Sequence, residues 1–516
     1  MTEAPQSEAR RLHALTLVLR GVGIVPGLVL LALPLIRGVD ETPALFMALA
    51  YFAILWVVVG LPFAIAHFVR FRYWITPREI VIQSGVLNRQ NRSIPIERIQ
   101  NVEIRQSLLP RMFGLARVQI ETAGSQAAEG LLEFVSLKEA NAIRTVVREH
   151  QRRAPALVES APTAASGGDV ADIALEGVGR PDVDPSRLLV ELPFHRVLLS
   201  GAYRFSLLYI LLIFSGIQYL NVEPEEIIGW FTGGLFEPLT AAIAASPWVA
   251  VLTGIALAVL FSWLAGILVN LNRFHRFVLS REGDKLHRRH GLLTVMEGTI
   301  PLRKVQAAVF RANALMRRGG WQMLKLQTMG MDADQHGNQV AVPFARQSEI
   351  LSVTPEILPF EMPAAFLPVS KVQIRRLSIR YTAYLAVLVA AAWWFITPDA
   401  LWALAGWPLL PLIAYVQYRN HGYAFNGRHL FVRHGVLIHH VWVLPVEKLQ
   451  ALFANATFFQ RRLRLSNILV DTAGATAYPA PIIRDLAEGD ATTLLDQLHA
   501  AAQLRAGVPE PAALPF

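Results

Sequence analysis

The chain has no cysteine among its 516 residues, which excludes disulfides, thiolate metal sites, thiolate-held iron–sulfur clusters and cysteine nucleophiles together. Charge is scarce as well. Only 17% of residues are Asp, Glu, Lys or Arg against 53% hydrophobic, and a mean hydropathy of +0.38 is too apolar for a soluble protein of this length. Part of the chain therefore lies in lipid. No Gly-x-Ser-x-Gly, phosphate-binding Walker loop or His-Glu-x-x-His occurs, so the nucleophile, phosphate cradle and zinc helix of the common enzyme motifs are all missing. The glycines between positions 21 and 27 are spaced one residue too widely for a dinucleotide loop and follow no strand. Gly23 and Gly27 match instead the small-residue spacing of packed membrane helices.

Six apolar stretches are present, and they come in pairs: 21–36 with 44–68, 205–220 with 248–271, and 381–396 with 400–418. A spanning helix needs roughly 17 to 25 mostly apolar residues. The second and fourth stretches meet that outright, and the shorter ones reach it with their flanks. None holds a carboxylate, and His67 and Arg204 lie near stretch ends, whereas ion-coupled carriers place ionisable groups near the midplane. The pairs predict anchors, with a passive lipid or peptide exporter as the alternative. The connectors inside the pairs are acidic, with Asp40 and Glu41 in the first, four glutamates in 221–247 and Asp399 in the third. The outer flanks are basic, from Arg10, Arg11 and Arg20 through Arg70 and Arg72 to Arg375, Arg376, Arg380 and Arg419. The positive-inside rule then places both termini and all long segments in the cytoplasm.

Those long segments repeat. From Gly85, Gly291 and Gly435, proline recurs ten residues on (Pro95, Pro301, Pro445) and glutamine fifteen on (Gln100, Gln306, Gln450). Arginine follows at Arg111, Arg317 and Arg461, threonine at Thr122, Thr328 and Thr472, and glycine at Gly124, Gly330 and Gly474, all without gaps. Since each residue type makes up roughly one in twenty of an average chain, six triple coincidences are not chance. Alternating apolar residues predict strands at 79–82, 118–122, 324–328, 430–432 and 468–472. Helical patterns at 137–152 and 482–504 close the first and third copies, while Pro343, Pro355 and Pro359 interrupt the second. Short strands ending in one amphipathic helix predict a small β-barrel or sandwich capped by that helix.

The run Ile94-Pro95-Ile96-Glu97-Arg98-Ile99-Gln100, repeated at 300–306 and 444–450 after each apolar pair and turn glycine, resembles the bacterial pleckstrin-homology (PH) family of the YdbS and YdbT type. The resemblance implies a multi-pass α-helical membrane protein with α+β cytoplasmic modules, each a transmembrane hairpin followed by a PH-like β-barrel with a closing helix. It implies the bacterial cytoplasmic membrane, no established enzyme activity and no cofactor. The expected division is hairpin 1 at 1–69, module 1 at 70–153, an acidic flexible linker at 154–186, hairpin 2 at 187–272, module 2 at 273–360, hairpin 3 at 361–418, module 3 at 419–505 and a tail at 506–516.

The function this predicts is a non-enzymatic membrane scaffold or envelope-homeostasis protein. Its partners are the bilayer, anionic phospholipids and a protein, for which a smaller member of the same family is a candidate; no nucleic-acid motif is present. A guanidinium offers a bidentate fork for phosphate oxygens, so Arg111, Arg317, Arg318, Arg461, Arg462 and Arg464 are the candidate headgroup ligands. A residue identical in every copy of a repeat is more often a fold requirement, so a structural role is the favoured reading of Arg111, Arg317 and Arg461 and headgroup contact the lesser one. His287, His290, His429, His434, His439 and His440 invite a metal reading, but on strands they fall on both faces, and Glu282 and Asp284 are expected to face away from His287. No metal site is predicted.

Overall fold

The computed structural model describes residues 10–13, 15–16, 51, 60–76, 78–86, 88–122, 130–159, 187–204, 246–329, 338–395, 397–473 and 481–506. Stretches 21–36 and 205–220, most of 44–68, nearly all of the linker, Gly23, Gly27 and the repeat glycines Gly124, Gly330 and Gly474 lie outside these residues. Two compact units are present, Met1–Thr299 and Ile300–Phe516.

In the first unit the strands are β1 (Arg72–Ile75), β2 (Glu79–Ser84), β3 (Gln90–Pro95), β4 (Ile99–Gln106), β5 (Leu115–Thr122), β6 (Gly130–Ser136), β7 (Arg187–Glu191), β8 (Val278–Glu282), β9 (Lys285–His290) and β10 (Val295–Pro301). The second unit holds β11 (Val305–Asn313), β12 (Trp321–Thr328), β13 (Asn338–Arg346), β14 (Leu367–Pro368), β15 (Gly422–Phe425), β16 (His429–His434), β17 (Ile438–Pro445), β18 (Leu449–Asn455), β19 (Leu465–Thr472) and β20 (Ile482–Ala487). The predicted strands all appear where the alternation places them. The closing helices are Leu137–Glu159, Gln347–Val353 and Glu488–Ala506. Two expectations need correction here: 482–487 is strand rather than the start of the last helix, and Pro343 lies in β13, so the second closing helix is short rather than broken at that proline.

The repeat residues explain the shared turn. Gly85, Gly291 and Gly435 have φ of +106°, +116° and +108°, and a Cβ on each would stand 1.9 Å from the carbonyl oxygen of Asn88, Thr294 and Ile438. Only glycine fits so closed and so left-handed a turn. Each repeated proline precedes a one-turn 3₁₀ helix, at Ile96–Arg98, Leu302–Lys304 and Val446–Lys448, with its ring holding φ near −60°. The repeated glutamine is then the extra residue of a β-bulge, since pairing skips from Ile99 to Asn101, from Val305 to Ala307 and from Leu449 to Ala451. Thr122, Thr328 and Thr472 are buried opposite the residue that starts each bulged strand.

Sheet order departs from three self-contained barrels. The four sheets run β1-β2-β3, β6-β5-β4-β10-β9-β8-β7, β13-β12-β11-β17-β16-β15-β14 and β18-β19-β20. The closing half of each of the first two modules thus continues, strand to strand, into the opening half of the next. Cores follow the same plan: Ala307 and Val309 of β11 are buried together with Tyr423, Leu430, Trp442 and Leu444 of the third module. Each module also opens on a segment lying before its apolar pair, because Arg10 bridges to Tyr73, β7 pairs with β8, and β14 pairs with β15. Such short edge pairings are invisible to periodicity.

Among the described residues two helices are long and apolar enough to cross a membrane, Leu252–Phe274 within the helix Pro247–Phe274, and Val372–Phe395. The stretch 400–418 is not one straight helix: a 3₁₀ segment Pro398–Gly406 meets Leu409–Arg419 at 44°. Pro408 and Pro411 remove backbone donors at that corner. Val372–Phe395 packs on this bent pair, with Trp407 Nε1 donating to Thr382 Oγ1 at 3.0 Å and Tyr381 Oη donating to Gln417 Oε1. In the first unit the helix Phe194–Ala202 packs on Pro247–Phe274 through glycine: a Cβ on Gly201 would lie 2.7 Å from the Ile267 Cα, and one on Gly266 2.5 Å from the Arg204 carbonyl oxygen. Close backbone approach of this kind is how membrane helices gain dispersion contact where lipid supplies no hydrophobic drive.

Candidate headgroup site

The repeated arginines sit on one-turn helices that the strand pattern did not reveal: Leu108–Met112, Ala314–Arg318 and Phe458–Arg462, each joining the first two strands of a closing half-sheet. Asn313 and Thr457 cap the second and third, accepting from the Met316 and Gln460 amides. The arginines are exposed, and so are large apolar neighbours: Leu108, Leu109, Met112 and Phe113 in the first copy, Leu315 in the second, Phe458 and Phe459 in the third. Arg462 lies over the Phe458 ring at 5.0 Å.

Where these helices lie decides what they meet. Arg111 Nη1 donates to the Leu292 carbonyl at 3.2 Å. Leu292 and Leu293 are themselves tied to the end of the membrane helix Pro247–Phe274, because their amides donate to the Asn272 backbone carbonyl and side-chain oxygen at 2.8 and 2.9 Å. Arg317 Nη1 likewise donates to Asn420 Oδ1 at 3.3 Å, directly after the helix Leu409–Arg419 of the bent apolar pair. Both arginines therefore stand where the chain leaves an apolar helix, beside exposed leucines.

Arg464 is a further finding. Its φ is +51°, at the position where the other copies carry Gly114 and Gly320 with φ of +67° and +72°. A non-glycine residue held there costs on the order of 1 kcal/mol. Arg318 and Arg462 are exposed on their helices. The structure thus places Arg111 and Arg317 at helix exits, and gathers Arg461, Arg462 and Arg464 beside Phe458 and Phe459.

A model of the bacterial PH domain matches residues 20–151, 227–359 and 364–502, most of the chain. The chain belongs to the bacterial PH-domain family. It is 24% identical over 459 residues to the UPF0699 transmembrane protein YdbT of Bacillus subtilis (strain 168), covering 86% of this chain and 87% of that one. No solved structure matches. In this bacterial PH-domain membrane protein each match takes in apolar residues before the strands as well as the strands themselves, in keeping with a repeat made of both.

The histidines behave as packed side chains. His434 and His440 face each other across β16 and β17 with ring centroids 5.3 Å apart, and burial pulls them down to about 4 and about 3, helped by Arg484 for His434 and by Arg311 and Lys325 for His440. His439, half-buried beside Arg317 and Arg433, is pulled to about 4, by desolvation first and then by those two cations. All three stay neutral near pH 7. Among the described residues no group of three His, Asp or Glu side chains could hold a metal ion. One orientation expected from the sequence is overturned: His287 Nε2 lies 2.8 Å from Glu282 Oε2. Counting along one strand put them on opposite faces, but the turn at Gly283 and Asp284 folds β9 back on β8, and diagonal neighbours across a hairpin share a face.

Proposed function

We propose that this protein is a non-enzymatic scaffold of the bacterial inner membrane whose three hairpin-plus-module repeats hold PH modules against the cytoplasmic leaflet, where the arginine-bearing one-turn helices contact anionic headgroups. The observation carrying this reading is the juxtaposition at membrane-helix exits of guanidinium groups with exposed apolar side chains. Apolar residues enter the headgroup boundary while each cation beside an anionic leaflet gains about 1 kcal/mol. The left-handed Arg464 fits a position kept for its charge against a backbone cost.

Lipid capture by the full chain tests it. In neutral detergent the purified protein is expected to retain phosphatidylglycerol in preference to phosphatidylcholine, with a preference that falls as salt rises. Replacing Arg461, Arg462 and Arg464 with Glu is expected to cut that retention severalfold without shifting the melting temperature by more than a few degrees, since all three side chains are exposed. Undiminished retention removes these residues from the functional account. Loss of the fold assigns them a structural role instead.

The orientation has its own test. Reporter fusions at Ala164, Gln335 and the C-terminus are expected on the cytoplasmic side and one near Thr232 outside, because the basic flanks agree at every pair. An exterior signal at Gln335 overturns this topology.

A further inference from the structure

The joints between modules use one pairing rule twice. In the first unit Gln106, Arg105 and Ile104 of β4 lie opposite Val295, Met296 and Glu297 of β10. In the second, Ala312, Arg311 and Phe310 of β11 lie opposite His439, His440 and Val441 of β17. Counted from the repeat glycines, Arg105 and Arg311 are both the twentieth residue, and Met296 and His440 are both the fifth. The register is identical at the two joints, although the residues making them are not.

Among the described residues two joints are made, and two strands of the joint-forming kind stand at sheet edges. β3, the counterpart of β10 and β17, is the last strand of its three-stranded sheet, and β18, the counterpart of β4 and β11, is the first of its own. Burial marks β18 as an uncovered joint surface. Phe453 is 50% exposed, whereas its counterparts Glu103 and Val309 are 4% and 3% exposed. Val309 owes that burial to the following module, whose core includes it together with Trp442, its partner across the joint. The other end is polar, with Gln90, Asn91, Arg92 and Ser93 all exposed, the composition that keeps an edge strand from indiscriminate pairing.

We propose that β18 of one copy pairs antiparallel with β3 of a second copy of this chain, extending head to tail the joint that already links modules within a chain. The shared register sets Asn455 opposite Gln90, Ala454 opposite Asn91, Phe453 opposite Arg92 and Leu452 opposite Ser93. Arg92 then lies against the exposed ring of Phe453, a cation–π pair, and Phe453 gains the cover that Val309 has. The occupant is a second copy because both halves of the joint are present on each chain in equal number. Such a contact is heterologous, so every added copy presents a fresh β3 or β18, and assembly continues until a ring closes or a row ends. The proposal rests on strand register and not on the lipid reading.

The absence of cysteine makes the test direct. Asn455→Cys and Gln90→Cys are placed on separately tagged full-length chains, co-expressed, and oxidised in native membranes. The expected product is a disulfide-linked species of twice 57.2 kDa carrying both tags, with Asn455→Cys plus Ser93→Cys, three residues out of register, giving at least about tenfold less, because opposed Cβ atoms lie roughly 4.5–5.5 Å apart and only such pairs can bridge. A chain carrying Arg311→Cys and His440→Cys, opposite each other in the structure, reports how readily this pair position oxidises. Phe453→Lys, which sets a cation against Arg92, is expected to suppress the Asn455–Gln90 product, and both residues changed to cysteine are exposed, so folding is not at stake. Absence of the mixed dimer while the Arg311–His440 pair closes overturns the proposal. Equal linkage at Gln90 and Ser93, or capture by Asn455→Cys of a different polypeptide alone, does so too.

Discussion

Changing Gly291 to Ala is expected to deplete folded protein from the membrane fraction, at a cost of about 3 kcal/mol or more. Two effects add. At φ +116° an L-residue lies beyond even the left-handed helical region, and the new methyl would stand 1.9 Å from the Thr294 carbonyl oxygen, a backbone atom that cannot rotate aside. The turn would have to open, and with it the contacts that tie Gly291 to the His275 carbonyl and Leu292 to Asn272 at the end of the membrane helix. Gly283 supplies the comparison. Its φ is +56° and nothing lies within 4 Å of an added Cβ, so Gly283→Ala is expected to cost only about 1 kcal/mol. Detergent-solubilised thermal melts of the two variants, with membrane-fraction yields, measure the difference; equal stability for both would remove steric closure from the account of the repeat.

The second large effect is expected at Asp485, a carboxylate with 0% exposure in β20, just before the last closing helix. It accepts from Arg376 Nη2 at 2.6 Å, Gln460 Nε2 at 2.8 Å and Gln373 Nε2 at 3.3 Å, while its own amide donates to Asn467 Oδ1 and its carbonyl accepts from the Ser370 amide. Gln373 and Arg376 open the membrane-crossing helix Val372–Phe395, and Gln460 belongs to the one-turn helix that bears Arg461 and Arg462. One carboxylate thus fastens the helix Val372–Phe395 and the arginine helix Phe458–Arg462 to β20. Asp485→Ala leaves a half-buried guanidinium and two amides without their acceptor, a loss of roughly 2–4 kcal/mol. The check is the thermal midpoint of the full chain together with protease cleavage near residue 420. Asp485→Leu combined with Arg376→Met is expected to recover much of the loss, because the cost lies in the orphaned charge; no recovery would mean that the remaining amides carry the network.

Much of this molecule is legible in the chain. The repeat is visible because its residues answer to local geometry: a turn that admits only glycine, a proline opening a 3₁₀ turn and a glutamine at a bulge impose the same residue type in every copy. Strands such as 118–122 and 468–472 are visible because one face is buried, and hydrophobic runs of helical length reveal lipid. The candidate arginines were found by repetition, but their surroundings were not. Five-residue helices are too short to leave a period, and the contacts of Arg111 with Leu292 and Arg317 with Asn420 cross 181 and 103 residues of chain.

Sequence alone therefore determined the apolar runs of membrane-crossing length, the threefold unit and its turn chemistry, all of which depend on neighbours within about forty residues. Tertiary structure alone decided that modules share sheets, that His287 meets Glu282, and that Asp485 anchors the helix Val372–Phe395. The physical reason is the same each time. A strand's edge carries only backbone donors and acceptors, identical for every residue, so which strand it meets is written in the packing of distant side chains and not in the strand itself.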